Sequence, residues 1–208
     1  MFKRFALLLS LLAMSSAAFA GEKVPAPDIA DDARNPPLSV ALNTYQRFEL
    51  APIAMGAPWA GQKANEEARR HLQENLDERA NAVIAEWNAK PAGTAPRTLK
   101  IVPEIVYVRF ITGGKRFFGG AFAGGSGVLL KVTFTDAATG EAIATPQFHQ
   151  HANAFSATYT FGAMDKHMMI RTSAMVAEYL RSNYATPIGG PMAVAPGHED
   201  APEDAQKH

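Results

Sequence analysis

An amphipathic segment at residues 62–88 constrains the fold of this chain more than any other feature. Apolar residues recur there every three or four positions, which is the spacing of one helix face. Glutamate, aspartate and arginine fill the other face. The apolar positions are Ala64, Ala68, Leu72, Leu76, Ala80, Val83, Ile84 and Trp87. Such a face has to be buried, and a β-sheet is the large partner that the rest of the chain can supply.

The remaining periodic segments predict strands and one further helix. Strands are predicted at residues 43–53, 98–111, 127–136 and 141–151, with a short additional strand at 153–161. The segment 98–111 is apolar at both alternating sets of positions, which predicts a strand covered on both faces. Pro103 argues for an edge or a bulge there, because proline has no N–H to donate. Residues 166–184 predict a helix with its apolar side chains inward: Met168, Met169, Met175, Val176, Tyr179 and Leu180.

The order of these elements is β-α-β-β-β-α. A strand–helix–strand unit favours a parallel crossover, and the later hairpin adds antiparallel pairs. The hairpin turn is predicted at residues 136–140, where Asp136 suits the start and Gly140 supplies a positive φ. The sequence therefore predicts an α+β fold, a two-layer sandwich of a mixed sheet of four or five strands and two helices.

Composition limits the chemistry that the chain can perform. The 208 residues include no cysteine, which excludes disulfides, thiolate zinc sites, iron–sulfur clusters and a thioether lipid anchor. The formal net charge is zero, so nothing in the overall charge favours nucleic-acid binding. The glycine spacings match neither a phosphate loop nor a dinucleotide-binding motif, and no cofactor is expected.

The opening of the sequence is typical of an exported protein. Lys3 and Arg4 precede an apolar run at residues 5–14, and Ala18 and Ala20 give the small-x-small pattern of a cleavage site. The run is too short to span a bilayer. We expect a signal peptide at residues 1–20 and a periplasmic protein with neither a lipid anchor nor a transmembrane segment. An extended linker (21–39), a single α+β domain (40–184) and a disordered acidic tail (185–208) would follow.

A glycine-rich segment at residues 113–127 contains interspersed aromatic residues. One interpretation is a bulged connection between strands. The other is a loop that contacts a partner protein or lipid headgroups through exposed aromatic and basic side chains. The residues of this candidate partner-contact loop are Lys115, Arg116, Phe117, Phe118 and Phe122.

Histidines provide a candidate metal site. His149 and His151 lie on one face of a predicted strand, a spacing that can chelate a metal, and His167 in the next helix is a possible third ligand. The alternative is a solvated pair on a polar edge strand. Glu104 is either a buried carboxylate or one half of an ion pair with Arg109 or a helix arginine. No group of residues in the sequence matches a recognisable catalytic arrangement.

The run from the glycine-rich segment to Phe148 resembles a family of bacterial envelope proteins, often lipoproteins, that is classed as a domain of unknown function. The pattern is carried by Arg116, Gly119, Gly120, Gly124, Asp136, Thr139 and Gly140. The resemblance covers about residues 43–184 and implies a fold similar to the TolB amino-terminal and curli-secretion lipoprotein domains. It transfers no catalytic residues, and this sequence lacks the cysteine that would carry a lipid.

These observations favour a non-enzymatic accessory or interaction protein of the envelope, which would act on an envelope partner through its sheet edge and the glycine-rich loop. Two alternatives remain open, a histidine-based metal-binding protein and a protein that binds a small ligand between sheet and helices. The sequence does not specify the oligomeric state.

Overall fold

The computed structural model describes residues 24–109, 126–152 and 163–193. The predicted signal peptide, the partner-contact loop and the additional strand at 153–161 lie outside these residues. The strands are β1 (Arg34–Asn35), β2 (Arg47–Leu50), β3 (Ala54–Met55), β4 (Thr98–Arg109), β5 (Ser126–Asp136), β6 (Ala142–Ala144), β7 (Gln147–Ala152) and β8 (Gly190–Pro191). The helices are α1 (Lys63–Asn88) and α2 (Ala163–Ser182), and a 3-10 turn spans Leu42–Thr44.

The main sheet is mixed, as predicted. Strands β2 and β3 both pair parallel with β4, β5 pairs antiparallel with β4, and β6 and β7 both pair antiparallel with β5. Among the described residues, the sheet has six strands, where four or five were predicted. Pro52 lies between β2 and β3, and Pro146 lies between β6 and β7. Because proline cannot donate to a ladder, each of these residues divides one predicted strand into two.

Both helices pack on the same side of the sheet and against each other. The predicted inward side chains of α2 are all buried, and α1 buries its predicted stripe from Ala68 to Trp87. The exception is at the start of α1, where Ala64 is exposed and Asn65 is buried. Asn65 satisfies its amide by donating from Nδ2 to the Trp59 carbonyl at 3.0 Å. The result is the predicted two-layer α+β sandwich.

The prediction that the β4 segment is covered on both faces is wrong over much of its length. Leu99, Ile101 and Ile105 are buried against the helices, whereas Lys100 and Val102 on the other face are exposed. Burial on the outer face returns only beyond an irregularity in the β4–β5 register, at Tyr107. The apolar sequence of this segment correctly predicts a strand, but the outer face of that strand is covered only where another part of the chain packs on it.

Both terminal segments contribute more to the folded body than the sequence predicts. Arg34–Asn35 falls in the predicted linker and Gly190–Pro191 in the predicted tail, yet they pair antiparallel as β1 and β8. Buried Asn183 holds the chain after α2, because its Oδ1 accepts from the N–H groups of Ile188 and Gly189 at 2.8 Å each. Proline and glycine there mark a fixed turn rather than disorder, so the folded region exceeds residues 40–184 on both sides.

Candidate functional site

The two histidines of β7 lie together on the outer face of the sheet, the face opposite the helices. The rings of His149 and His151 stack with centroids 5.6 Å apart and planes 22° apart. His149 is buried, and within the described part of the chain its Nδ1 atom has no hydrogen-bond partner. Burial, with a smaller contribution from neighbouring His151, lowers the pKa of His149, which favours the neutral imidazole.

The predicted third metal ligand is not part of this arrangement. His167 is exposed on α2, which packs against the inner face of the sheet. Among the described residues, no group of three or more histidine, aspartate or glutamate side chains could hold a metal ion. The three-histidine site is therefore a wrong prediction. His149 and His151 are two positions apart on β7 and face away from the helices, whereas His167 lies on a helix that covers the other side of the sheet.

Glu104 adopts neither predicted arrangement. Its carboxylate is about two-fifths exposed and forms an ion pair of 2.6 Å with Lys131. Lys131 is its register partner on β5. Such a pair on an exposed sheet face is a cross-strand contact of modest energy rather than a catalytic carboxylate.

The turn at residues 136–140, which carries part of the family resemblance, is held in place by hydrogen bonds to Asp136. Arg97 Nη2 donates to Asp136 Oδ2 at 2.7 Å, and Tyr45 Oη donates to the same oxygen at 3.2 Å. The Ala138 N–H donates to Asp136 Oδ1 at 2.9 Å, and Gly140 has the expected positive φ of 73°. Arg97, followed by the turn N–H groups, lowers the pKa of Asp136 to about 2. The motif thus joins the starts of two strands to the end of a third.

Both edges of the main sheet are closed by asparagine side chains. Asn88 at the end of α1 donates from Nδ2 to the Phe48 carbonyl and accepts the Phe48 N–H at Oδ1, each at 2.9 Å. Asn35 makes the same pair of bonds with Gln147 of β7, each at 2.8 Å. A side-chain amide here replaces the backbone of a neighbouring strand. The sheet edge is therefore occupied at Phe48 and Gln147, and contact through the remaining edge stays a prediction.

None of the residues that the structure describes covers the central part of the outer face, which we call the open face. Its residues come from the middle of β4 and β5, and all are exposed or half-buried: Lys100, Val102, Glu104, Lys131, Thr133 and Thr135. Val102 faces Thr133 across the strand pair and is 38% exposed. The periodicity of the β4 segment did not indicate this surface, since apolar residues on both sides predicted that both faces are covered.

The predicted space for a small ligand between sheet and helices is filled by the core. Phe134 and Phe148 from the sheet contact Tyr179 of α2, with ring centroids 6.0 Å and 5.6 Å from it. An open groove of about 460 Å³ lies instead on the solvent side of α1. Its lining includes Arg69 and Arg70, which pair with Glu66 and Glu74 of the same helix. Because these arginines already form ion pairs with neighbouring glutamates, the groove has little preference for a charged ligand.

Within the described residues, no helix is long and apolar enough to cross a membrane. The glycine-rich loop and its five candidate contact residues lie outside the described residues, so its role stays a prediction.

Comparison with known proteins reveals distant structural similarities. No family model and no curated protein matches the sequence. Similar solved structures include the PelC dodecamer from Paraburkholderia phytofirmans, at 12% identity and a TM-score of 0.37, covering 74% of this chain and 94% of that one. A DUF330 protein from Xanthomonas campestris has 12% identity and a TM-score of 0.39, with 72% and 92% coverage. The hypothetical protein CT253 from Chlamydia trachomatis has 9% identity and a TM-score of 0.40, with 68% and 98% coverage.

At these identities and TM-scores, the similarities assign neither a family nor an activity to this chain. One of the similar proteins belongs to a domain-of-unknown-function family, DUF330. The likeness to TolB amino-terminal and curli-secretion domains stays a prediction from the sequence.

Proposed function

We propose that this protein is an exported, non-enzymatic interaction protein of the bacterial cell envelope, and that it binds another protein through the open face. The observation that carries this proposal is the position of Val102. Both helices cover one side of the sheet, and Val102 lies at the centre of the other side, 38% exposed.

The chemistry of the open face fits a protein partner. The Glu104–Lys131 pair neutralises the two charges beside Val102. Thr133 and Thr135 add hydroxyl groups on the neighbouring strand. A small apolar centre with a polar rim is the composition of a transient protein interface. It offers no concentration of positive charge of the kind that binds nucleic acid.

The rigidity of the sheet supports the same proposal. Asn88 and Asn35 close the two edges, so a partner strand would have to displace them before pairing there. The open face requires no such rearrangement. A preorganised surface binds with a smaller entropic cost than one that must first open.

The pattern of an export signal in the first twenty residues supports the envelope location. The residues that argue for it are Lys3, Arg4, Ala18 and Ala20, together with the apolar run between them. Mass spectrometry of the protein from its native cells is expected to find a chain that begins at Gly21. Cytosolic material that retains Met1 would contradict the location and the partner class together.

The contact itself is tested with a photo-reactive amino acid at position 102 in native cells. We expect a covalent adduct to a second protein from position 102 and none from position 78, which is exposed on α1. Val102→Glu should abolish co-purification of that protein. Ile188→Glu is the matched control, because Ile188 is also an exposed aliphatic residue, at 54%, but lies away from the open face. Equal loss with both variants, or adducts from both positions, would contradict the proposal.

A further inference from the structure

The outward edge of β7 is covered by two segments that flank the rest of the domain, residues 33–35 and 189–193, which we call the terminal strap. Met192 accepts the His149 N–H at its carbonyl at 2.7 Å, and the Met192 N–H donates to the Ala33 carbonyl at 2.7 Å. Asn35 binds both backbone groups of Gln147. Together these bonds satisfy the outward N–H groups at positions 147 and 149 of β7.

The composition of β7 explains why it needs a cover. Its sequence, Gln147–Ala152, contains no aspartate, glutamate, lysine or arginine. The opposite edge strand β2 carries Arg47 and Glu49 within four residues. Charged side chains are a usual defence of an edge strand against pairing with another chain. Strand β7 lacks that defence, and the neutral form of His149 adds no charge to it.

Within the strap, the backbone of Gly189 lies directly against the backbone of Asn35 and Pro36. That residue has a φ of 74°, and a Cβ atom placed there would clash with the Asn35 carbonyl and lie 2.9 Å from the Pro36 carbonyl carbon. Both neighbours are backbone, so neither can move without displacing the strap itself. A methyl group at Gly189 would therefore push Asn35 and Pro36 away from residue 189, and with them the Asn35 side chain that covers Gln147 of β7.

We propose that the terminal strap is a guard that prevents a second copy of this chain from pairing with the edge of β7. When the strap is displaced, two copies join their sheets through antiparallel β7–β7 pairing. A second copy is the occupant that the sequence favours. The uncharged strand meets no charge repulsion from its own duplicate, and six residues make a strand of ordinary length.

The test compares Gly189→Ala with Gly140→Ala by size-exclusion chromatography with light scattering, over about a hundred-fold range of protein concentration. Gly140 is the matched control, because it has a φ of 73° but a methyl group added to it would meet nothing within 4 Å. We expect Gly189→Ala to show concentration-dependent doubling of mass relative to wild type, and Gly140→Ala to behave as wild type. A Gly189→Ala variant that melts cooperatively and never associates beyond wild type would overturn the proposal.

A second variant separates edge pairing from general destabilisation. His151→Lys, added to Gly189→Ala, places a charge in β7 and should restore the wild-type mass. Undiminished association of this double variant would overturn the assignment to the β7 edge. If Gly189→Ala does not fold, Asn35→Ala replaces it, because this variant removes the Gln147 bonds without adding a methyl group at position 189. Asn35→Ala should then associate with increasing concentration, and adding His151→Lys should restore the wild-type mass. Failure of either result would overturn the proposal.

Discussion

The side chain of Asn88 takes the place of a missing strand beside Phe48, since it donates to the Phe48 carbonyl and accepts the Phe48 N–H, each at 2.9 Å. Asn88 is the last residue of α1, so this contact also fixes the end of the helix against the edge of the sheet. Loss of the side chain would leave two backbone groups of a buried residue without their partners.

We therefore expect Asn88→Ala to lower the free energy of unfolding by about 1 to 3 kcal/mol, the usual cost of unpaired buried polar groups. Urea denaturation followed by circular dichroism measures this change. Asn75→Ala is the control on the same helix, because among the described residues the Asn75 side chain bonds only within the helix, to the His71 carbonyl and to Arg79. A change in Asn88→Ala no larger than in Asn75→Ala would contradict the role of Asn88 at the edge.

The second prediction concerns acid stability and Asp136. Its pKa is about 2 in the folded protein against an ordinary value of 3.8. A lowered pKa contributes stability above the unfolded value, and this contribution disappears as the pH falls from about 4 to about 2. Asp136→Asn should therefore melt at a lower temperature than wild type at pH 7, and the difference should shrink through that acidic range. A difference that stays constant with pH would show that the charge of Asp136 is not the cause.

The third prediction concerns His149, whose pKa is lowered by burial from its ordinary value of 6.5. Below pH 6.5 the unfolded chain takes up a proton more readily than the folded one, so stability falls until the folded form also protonates. His149→Gln should make the melting temperature less dependent on pH between about 7 and 5. His167→Gln, at an exposed position, should leave the wild-type dependence unchanged. This prediction would be contradicted if the melting temperature changed equally with pH in wild type, His149→Gln and His167→Gln.

The fourth prediction concerns the candidate partner-contact loop. Phe117→Ala combined with Phe118→Ala removes two aromatic side chains from the glycine-rich segment. If the loop contacts a partner, cross-linking followed by purification from native envelopes should recover less of that partner, while the melting temperature stays near that of wild type. Unchanged recovery of every partner would exclude these two side chains as the contact.

The fold class was predictable because its determinants are local. The stripe from Ala68 to Trp87 and the stripe from Met168 to Leu180 each specify a helix with one buried face. The Asp136–Gly140 turn specifies a hairpin through residue types that favour its backbone angles. Each of these patterns lies within a single stretch of chain, and the structure confirms each of them.

The closure of the sheet edges beside the candidate site could not be predicted to the same extent, because the residues that form it are distant in sequence. Asn35 and Gln147 are 112 positions apart, and Asn88 and Phe48 are 40 positions apart. An asparagine that replaces a strand has the same local pattern as one in solvent, so nothing near it indicates its role. His167 illustrates the reverse error, because residue type suggested a ligand set that the layers of the fold keep apart.

By itself, the sequence determined the two helices, the mixed sheet that they require and the lack of cysteine chemistry, since hydrophobic spacing and composition act along the chain. Only the tertiary structure decided which face of β4 is covered and how the sheet edges are closed. It also decided that residues 33–35 and 189–193, predicted as linker and tail, lie along the edge of β7. Those outcomes depend on which backbone groups find partners after the layers have packed, and that pairing has no signature within any one segment.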